Sequence, residues 1–255
     1  MGADRKHFVQ SLERGLSVIR AFDADSPELT LSDVARSTGL TRAAARRLLL
    51  TLVELGYVRA DGRHFQLTPR VLDLGYSYLS SISLPEVAEP HLESLVAEVG
   101  ESSSVAVLDA DDIVYVARVP TARIMTVAIS VGTRFPAYAT SMGRVLLGGL
   151  GEAELDRYLK ALKPSRLSPR TTTTKARLRE QVLQAGSRGW AIVDQELEEG
   201  LRSAAAAIHD RGGEVIAAVN VSVAAGRTSM TKLEGELLPA LQVAAGRIEA
   251  DLRSG

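Results

Sequence analysis

Apolar residues at Val9, Leu12, Leu16, Ile19 and Phe22 recur at spacings of three and four, which predicts a first helix over 9–22. A polar turn with Pro27 follows. Thr30, Leu31, Ser32 and Asp33 then form a capping-box pattern that opens a short helix ending at Gly39. Thr41 is the expected cap of a third helix running to about Leu55 and stopped by Gly56. In that helix Ala45, Leu48, Leu49 and Leu52 share one face and should turn to a small core. Two short strand-like runs, 57–60 and 63–67, flank Asp61-Gly62, a strong hairpin signal. Three helices followed by a hairpin make 1–67 a winged helix-turn-helix.

The pattern over 68–83 is helical again, with Val71, Leu72, Leu74, Tyr76, Tyr78, Leu79 and Ile82 apolar. That stripe is too wide for a simple surface helix and should pack on a second copy. The remainder, 84–255, alternates helices and strands. A helix starts at Pro85. Strand candidates at 103–110 and 113–119 flank Asp111-Asp112 as a hairpin, and 124–131 reads as a third strand. A short buried helix covers 140–150. Two helices near 152–162 and 174–188 precede strand candidates 190–196, 201–210 and 214–223. An amphipathic helix over 231–252, interrupted or kinked at Pro239, closes the chain. The fold class is α+β, the last domain carrying a mainly antiparallel sheet.

Composition narrows the function. With a net charge of −1 the chain is no polycation, so nucleic-acid binding needs a local patch. The chain has no cysteine, which excludes disulfides, thiolate metal sites and a cysteine nucleophile. No apolar run nears the ~18 residues of a membrane span, and the N-terminus lacks the apolar core of a signal peptide. The expected compartment is the cytoplasm. A local patch does exist: Arg36, Arg42, Arg46, Arg47, Arg59, Arg63 and Arg70 face only Glu54 and Asp61 in the same stretch. Arg42, Ala43, Arg46 and Arg47 lie on the outward side of the third helix, with Arg59 and Arg63 in the wing. One α-helix fits the major groove, and arginine bonds guanine bidentately. The expected partner is double-stranded DNA, contacted by these six residues and Thr41.

The run LTLSDVARSTGLTRAAARRLLLTLVELGYV, with FQLTPRVLDLG after it, resembles the N-terminal half of IclR-type transcriptional regulators. GTRFPAYATSMGRVLL, GWAIVDQELEEGLRSAAAAI and VIAAVNVSV resemble their C-terminal half. RVPTARIM and TRFPAYATSMGRVLL look most like the subgroup that controls aromatic-acid catabolism through the β-ketoadipate pathway. The resemblance implies a linker helix in a dimer interface, a GAF-like effector domain, and homodimers that can pair into dimers of dimers.

Ser141 and Met142 open the short buried helix, where backbone amides bind carboxylates well. Asp194, Ser203, Asn220 and Ser222 stand in or beside otherwise apolar strands. The resemblance places a small organic acid among these segments, with those four as a polar wall and Ile124, Val127 and Phe135 as the apolar side. Arg118, Arg123, Arg134 and Arg144 surround the region, and Arg134 or Arg123 is the expected counter-charge. His7, His64, His91 and His209 show no metal-ligand spacing, and the chain lacks a nucleophile elbow, a dinucleotide fingerprint and a phosphate loop. The expectation is a regulator, not an enzyme, with no cofactor and no membrane partner. The alternatives are a small-molecule enzyme fused to a DNA-binding domain and a ligand-independent DNA-binding protein.

Overall fold

The computed structural model describes residues 8–79, 84–121 and 129–254. The chain divides into two compact units, Met1–Ser81 and Ile82–Gly255.

In the first unit α1 (Gln10–Ile19), α2 (Leu31–Thr38) and α3 (Arg42–Glu54) pack around Val18, Phe22, Val34, Leu49 and Leu52. The Thr30 hydroxyl accepts from the Asp33 amide while the Asp33 carboxylate accepts from the Thr30 amide, so the capping box forms as expected. Gly39 ends α2 at φ 67°, a left-handed conformation glycine adopts without strain. Strands β2 (Val58–Asp61) and β3 (His64–Leu67) form the wing, pairing Val58 with Leu67 and Asp61 with His64.

One feature differs from the sequence reading. A three-residue strand, β1 (Glu28–Thr30), occupies part of the expected polar turn and pairs with β3. Its partner lies far along the chain, so local pattern does not reveal it. Of the apolar stripe on this helix, Ile19 and Phe22 pack in the core with Val18, whereas Val9, Leu12 and Leu16 are exposed, Leu12 keeping 63% of its surface open. Helix α1 is apolar on two sides, and this unit covers only one. A 3-10 turn (Pro69–Val71) leads into α4 (Leu72–Leu79), where Leu72 and Leu74 are exposed.

In the second unit β4 (Ser102–Asp109), β5 (Asp112–Val119), β6 (Arg134–Pro136), β7 (Trp190–Asp194), β8 (Leu201–His209) and β9 (Val215–Ala224) form one sheet, ordered β6-β5-β4-β9-β8-β7. Every described pairing is antiparallel. Most of the expected third strand, 124–128, lies outside the described residues. Residues 129–131 are not strand, and the neighbour of β5 is β6. Helices α5 (Leu84–Val99) and α10 (Leu238–Ser254) pack together on one face of the sheet. Before α10 come the short α9 (Met230–Lys232) and a π turn (Leu233–Leu237). Pro239 has no amide hydrogen, and the wider turn brings the chain to it without a broken helix interior.

The opposite face carries α6 (Ser141–Gly148), backed by α7 (Glu152–Ala161) and α8 (Lys175–Arg188). Helix α6 is buried along nearly its whole length, with Met142 and Leu147 fully enclosed, each worth roughly 1.5–3 kcal/mol in transfer from water. It crosses α8 at glycines: a Cβ on Gly148 would come 2.6 Å from the Gly186 nitrogen. Alanine normally stabilises a helix interior over glycine by about 1 kcal/mol. At this crossing steric overlap should outweigh it. Gly148→Ala is expected to destabilise the protein by about 1–3 kcal/mol or more, and urea unfolding reads the sign directly.

Candidate functional site

The first unit presents a basic face. Thr41 caps α3 by accepting from the Ala44 amide at 3.2 Å. Arg42, Ala43, Arg46 and Arg47 are exposed along α3, while Ala45, Leu49 and Leu52 hold its other side in the core. Leu48 is half-buried against that core. Among the described residues Arg42, Arg46, Arg47 and Arg63 have no carboxylate partner, whereas Arg36 is paired with Asp33. Arg47 also borders a groove shared with Arg14 of α1. In the wing Arg59 donates to Gln66 Oε1, its Nε at 2.8 Å, and Arg63 follows Gly62 at the hairpin tip. Arg70 stacks on Tyr57, 5.6 Å from the ring centroid, and so props the wing from behind.

In the second unit a cavity of about 180 Å3 opens between the N-terminus of α6 and the sheet. One water needs roughly 10–15 Å3 of such space, so the volume suits a molecule of ring size. Ser141 and Met142 line it from α6, Ser203, Asn220 and Ser222 from the strands, and Phe135 from β6. Thr140 caps α6 by accepting from the Gly143 amide, which leaves the Ser141 and Met142 amides as first-turn donors without an intrahelical acceptor. Ser141 Oγ and Ser203 Oγ share a 2.9 Å hydrogen bond, and Asn220 Nδ2 donates to Ser222 Oγ at 3.0 Å. Asn220 Oδ1 is buried and has no hydrogen-bond partner among the described residues. Tyr115 stands edge-on to Phe135 with centroids 5.9 Å apart. Burial pushes its hydroxyl up to about 12 against the opposing charge of Arg118, so it stays a neutral group. The site therefore offers an anion-binding helix terminus, a neutral polar wall with one unsatisfied acceptor, and an aromatic side.

Both halves match known families. The IclR helix-turn-helix domain covers residues 11–62, and the bacterial transcriptional regulator IclR C-terminal domain covers 76–250. The chain belongs to the IclR family of transcriptional regulators. It is 44% identical to the Pca regulon regulatory protein of Pseudomonas putida over 93% of this chain and 82% of that protein. A crystal structure of a Rhodococcus sp. RHA1 protein is 61% identical and superimposes with a TM-score of 0.87, covering 96% and 98% of the two chains. The structure of an IclR homologue from Microbacterium hydrocarbonoxydans, complexed with 4-hydroxybenzoate, has a TM-score of 0.85 at 26% identity over 96% and 100% of the chains.

Within this IclR-type domain, five of the sequence-selected residues that are described come together at the cavity with Phe135: Ser141, Met142, Ser203, Asn220 and Ser222. Ile124, Val127 and Arg123 lie outside the described residues. Two expectations need correction. Arg134 alternates with Phe135 on β6, so its side chain leaves the cavity and meets Asp109 at 2.6 Å and Asp112 at 3.2 Å. Asp194 does not line the cavity; Arg170 and Arg202 clamp its two oxygens at 2.6 and 2.7 Å. Arg144 is equally committed, to Glu196 at 2.8 Å, behind α6 in a separate hollow with Gln181, Arg188 and Trp190. The sequence reading missed Tyr115, Ile129, Ala139, Thr140, Val193, Leu197, Glu198 and Leu201, which complete the cavity wall. Alternation would have found Val193, since it sits opposite Ser203 in the β7–β8 register.

The clamp on Asp194 has a pH signature. Burial by itself would raise this carboxyl, but hydrogen bonds from Arg202 and Gln195 and the charges of Arg202 and Arg170 hold it below its usual 3.8. A depressed folded value contributes stability above the unfolded pKa that is lost as pH falls through the folded one. Asp194→Asn should therefore melt lower than the native protein at pH 7. The gap should close only below about pH 4, and thermal unfolding measured from pH 7 to pH 3 tests it.

Proposed function

We propose that this IclR-family chain is a homodimeric regulator whose winged helix binds a pseudo-palindromic operator and whose cavity senses a small organic acid, an aromatic acid or another carboxylate of its breakdown. The observation that carries the reading is the pairing, in one chain, of an arginine face free of acidic partners among the described residues with a cavity built on first-turn helix amides. In this reading Arg42 and Arg46 of α3 enter the major groove beside the small Ala43, Thr41 and Arg47 meet the backbone, and Arg59 and Arg63 of the wing hold phosphate or minor groove. The exposed Leu72 and Leu74 of α4 and the open stripe of α1 supply apolar surface for a second copy.

For the effector, the carboxylate sits on the Ser141 and Met142 amides, and a ligand hydroxyl donates to the unpaired Asn220 Oδ1. Asn220 thus takes the role that the sequence reading gave to Asp194. Phe135 and Tyr115 pack on the ring. The regulator named for the pca regulon and the family structure holding 4-hydroxybenzoate support an aromatic-pathway acid. Effector binding changes operator affinity only if the acid favours one arrangement of the paired heads over the other.

Two measurements test this. In an operator-binding assay Arg46→Ala should cost about 1–3 kcal/mol and relax preference at one position of each half-site, while Arg63→Ala should weaken all sequences alike. The same titration should saturate at two chains per operator. Unchanged affinity and preference in Arg46→Ala would show that α3 is docked wrongly. Ser141→Asp keeps a favourable residue at a helix N-terminus but sets a negative charge against the acid. It should weaken 4-hydroxybenzoate by more than ~10-fold, about 1.4 kcal/mol, with operator binding in the absence of acid unchanged. Equal binding by both proteins would place the acid elsewhere.

A further inference from the structure

A second hollow lies at the β7 edge of the sheet and shares no lining residue with the cavity at the start of α6. It measures about 270 Å3 and is bounded by α6, α8, β7, and the short α9 with its π turn. Gln181, Gln184, Ala185 and Arg188 follow i, i+3, i+4, i+7 spacing, so one stripe of α8 lines it. A helix stripe turned toward the protein is normally apolar. Here only Ala185 is. Trp190, Ile192 and Met230 supply an apolar wall, and the Arg188 guanidinium lies over the Trp190 indole, 5.1 Å from the ring centroid.

Two buried atoms of lining residues have no hydrogen-bond partner among the described residues: Arg144 Nε, a donor, and Gln181 Oε1, an acceptor. Arg144 is only 3% exposed. Its Nη2 donates to Glu196 Oε2 at 2.8 Å, and that oxygen also accepts from the Thr172 amide at 2.8 Å. The ion pair fixes the guanidinium and leaves Nε over. The charge of Arg177, one turn before Gln181 on α8, also acts on Arg144, which sets the guanidinium beside that part of the helix. A buried donor and a buried acceptor left unpaired are each costly, and a molecule offering their complements relieves both.

The complement defines the ligand. A carboxylate has acceptors only and would face Gln181 Oε1 with like charge, while the Arg144 cation already has Glu196. An ammonium has donors only. An amide edge carries a carbonyl oxygen beside an N–H and has no charge to bury. We propose that this hollow is a second small-molecule site, for a neutral amide or lactam with a flat apolar body. The ligand carbonyl accepts from Arg144 Nε, its N–H donates to Gln181 Oε1, and its body packs on the wall that includes Trp190. The site stands independently of the effector reading, although Arg144 is one turn beyond Ser141 on the same helix.

Trp190 is the chain's one tryptophan, so its fluorescence reports on this hollow. The test is titration of the full chain with benzamide and with acetophenone, which keeps the ring and carbonyl but has a methyl in place of the amide nitrogen. The native protein should bind benzamide at least ~10-fold tighter, about 1.4 kcal/mol. Gln181→Met removes the acceptor at similar size and should bring benzamide down to the acetophenone level, leaving acetophenone unchanged. Arg144→Lys loses Nε, keeps a cation for Glu196, and should weaken both probes. Ser141→Asp, altered in the other cavity, should bind benzamide as the native protein does. No saturable change with benzamide, no preference over acetophenone, a preference retained in Gln181→Met, undiminished binding in Arg144→Lys, or loss of benzamide binding in Ser141→Asp overturns the proposal. If Arg144→Lys does not fold, Gln181→Met decides.

Discussion

The second unit depends on a helix buried in its own domain. Helix α6 is short and almost wholly enclosed, so its first-turn amides cannot be left to bulk water as they are in a surface helix. Thr140 caps one of them, and Ser141 and Met142, which carry the next two, line the cavity. Such a helix can lie against the sheet only where side chains are absent. A Cβ on Gly143 would overlap the Ala137 backbone, and the Gly148–Gly186 crossing brings α8 equally close. Sequence thus sets the helix depth, and helix depth creates the anion-binding end of the cavity. Ala205 and Ala207 of β8, on the face toward α6, serve the same geometry, because larger side chains there would fill the space that α6 occupies.

Local signals were legible wherever a residue acts through its immediate neighbours. The Thr30–Asp33 box, the Thr41 cap, the Asp61-Gly62 turn and the apolar side of α3 all depend on contacts a few residues apart. The polar residues Ser203, Asn220 and Ser222 stood out because polar groups are rare inside apolar strands. What could not be read is where a charged side chain goes when several partners compete. Arg134 and Asp194 were plausible ligand contacts by position, yet each found opposite charges that only the fold brings near: Asp109 across the sheet edge, and Arg170 from the α7–α8 connection. The exposed stripe on α1 teaches a related lesson, since periodicity reports an apolar face without saying which surface covers it.

The polar wall also bears on how tightly an acid can be held. Ser141 with Ser203 and Asn220 with Ser222 already satisfy one another, so a ligand exchanging for those bonds gains little. In the proposed mode, net gain comes from groups with no partner among the described residues: the two α6 amides and Asn220 Oδ1. Hydrogen bonds to a charged group contribute roughly 1.5–3 kcal/mol each and neutral ones roughly 1. In the proposed binding mode the α6 amides, which meet the charged carboxylate, therefore contribute more to affinity than Asn220 does.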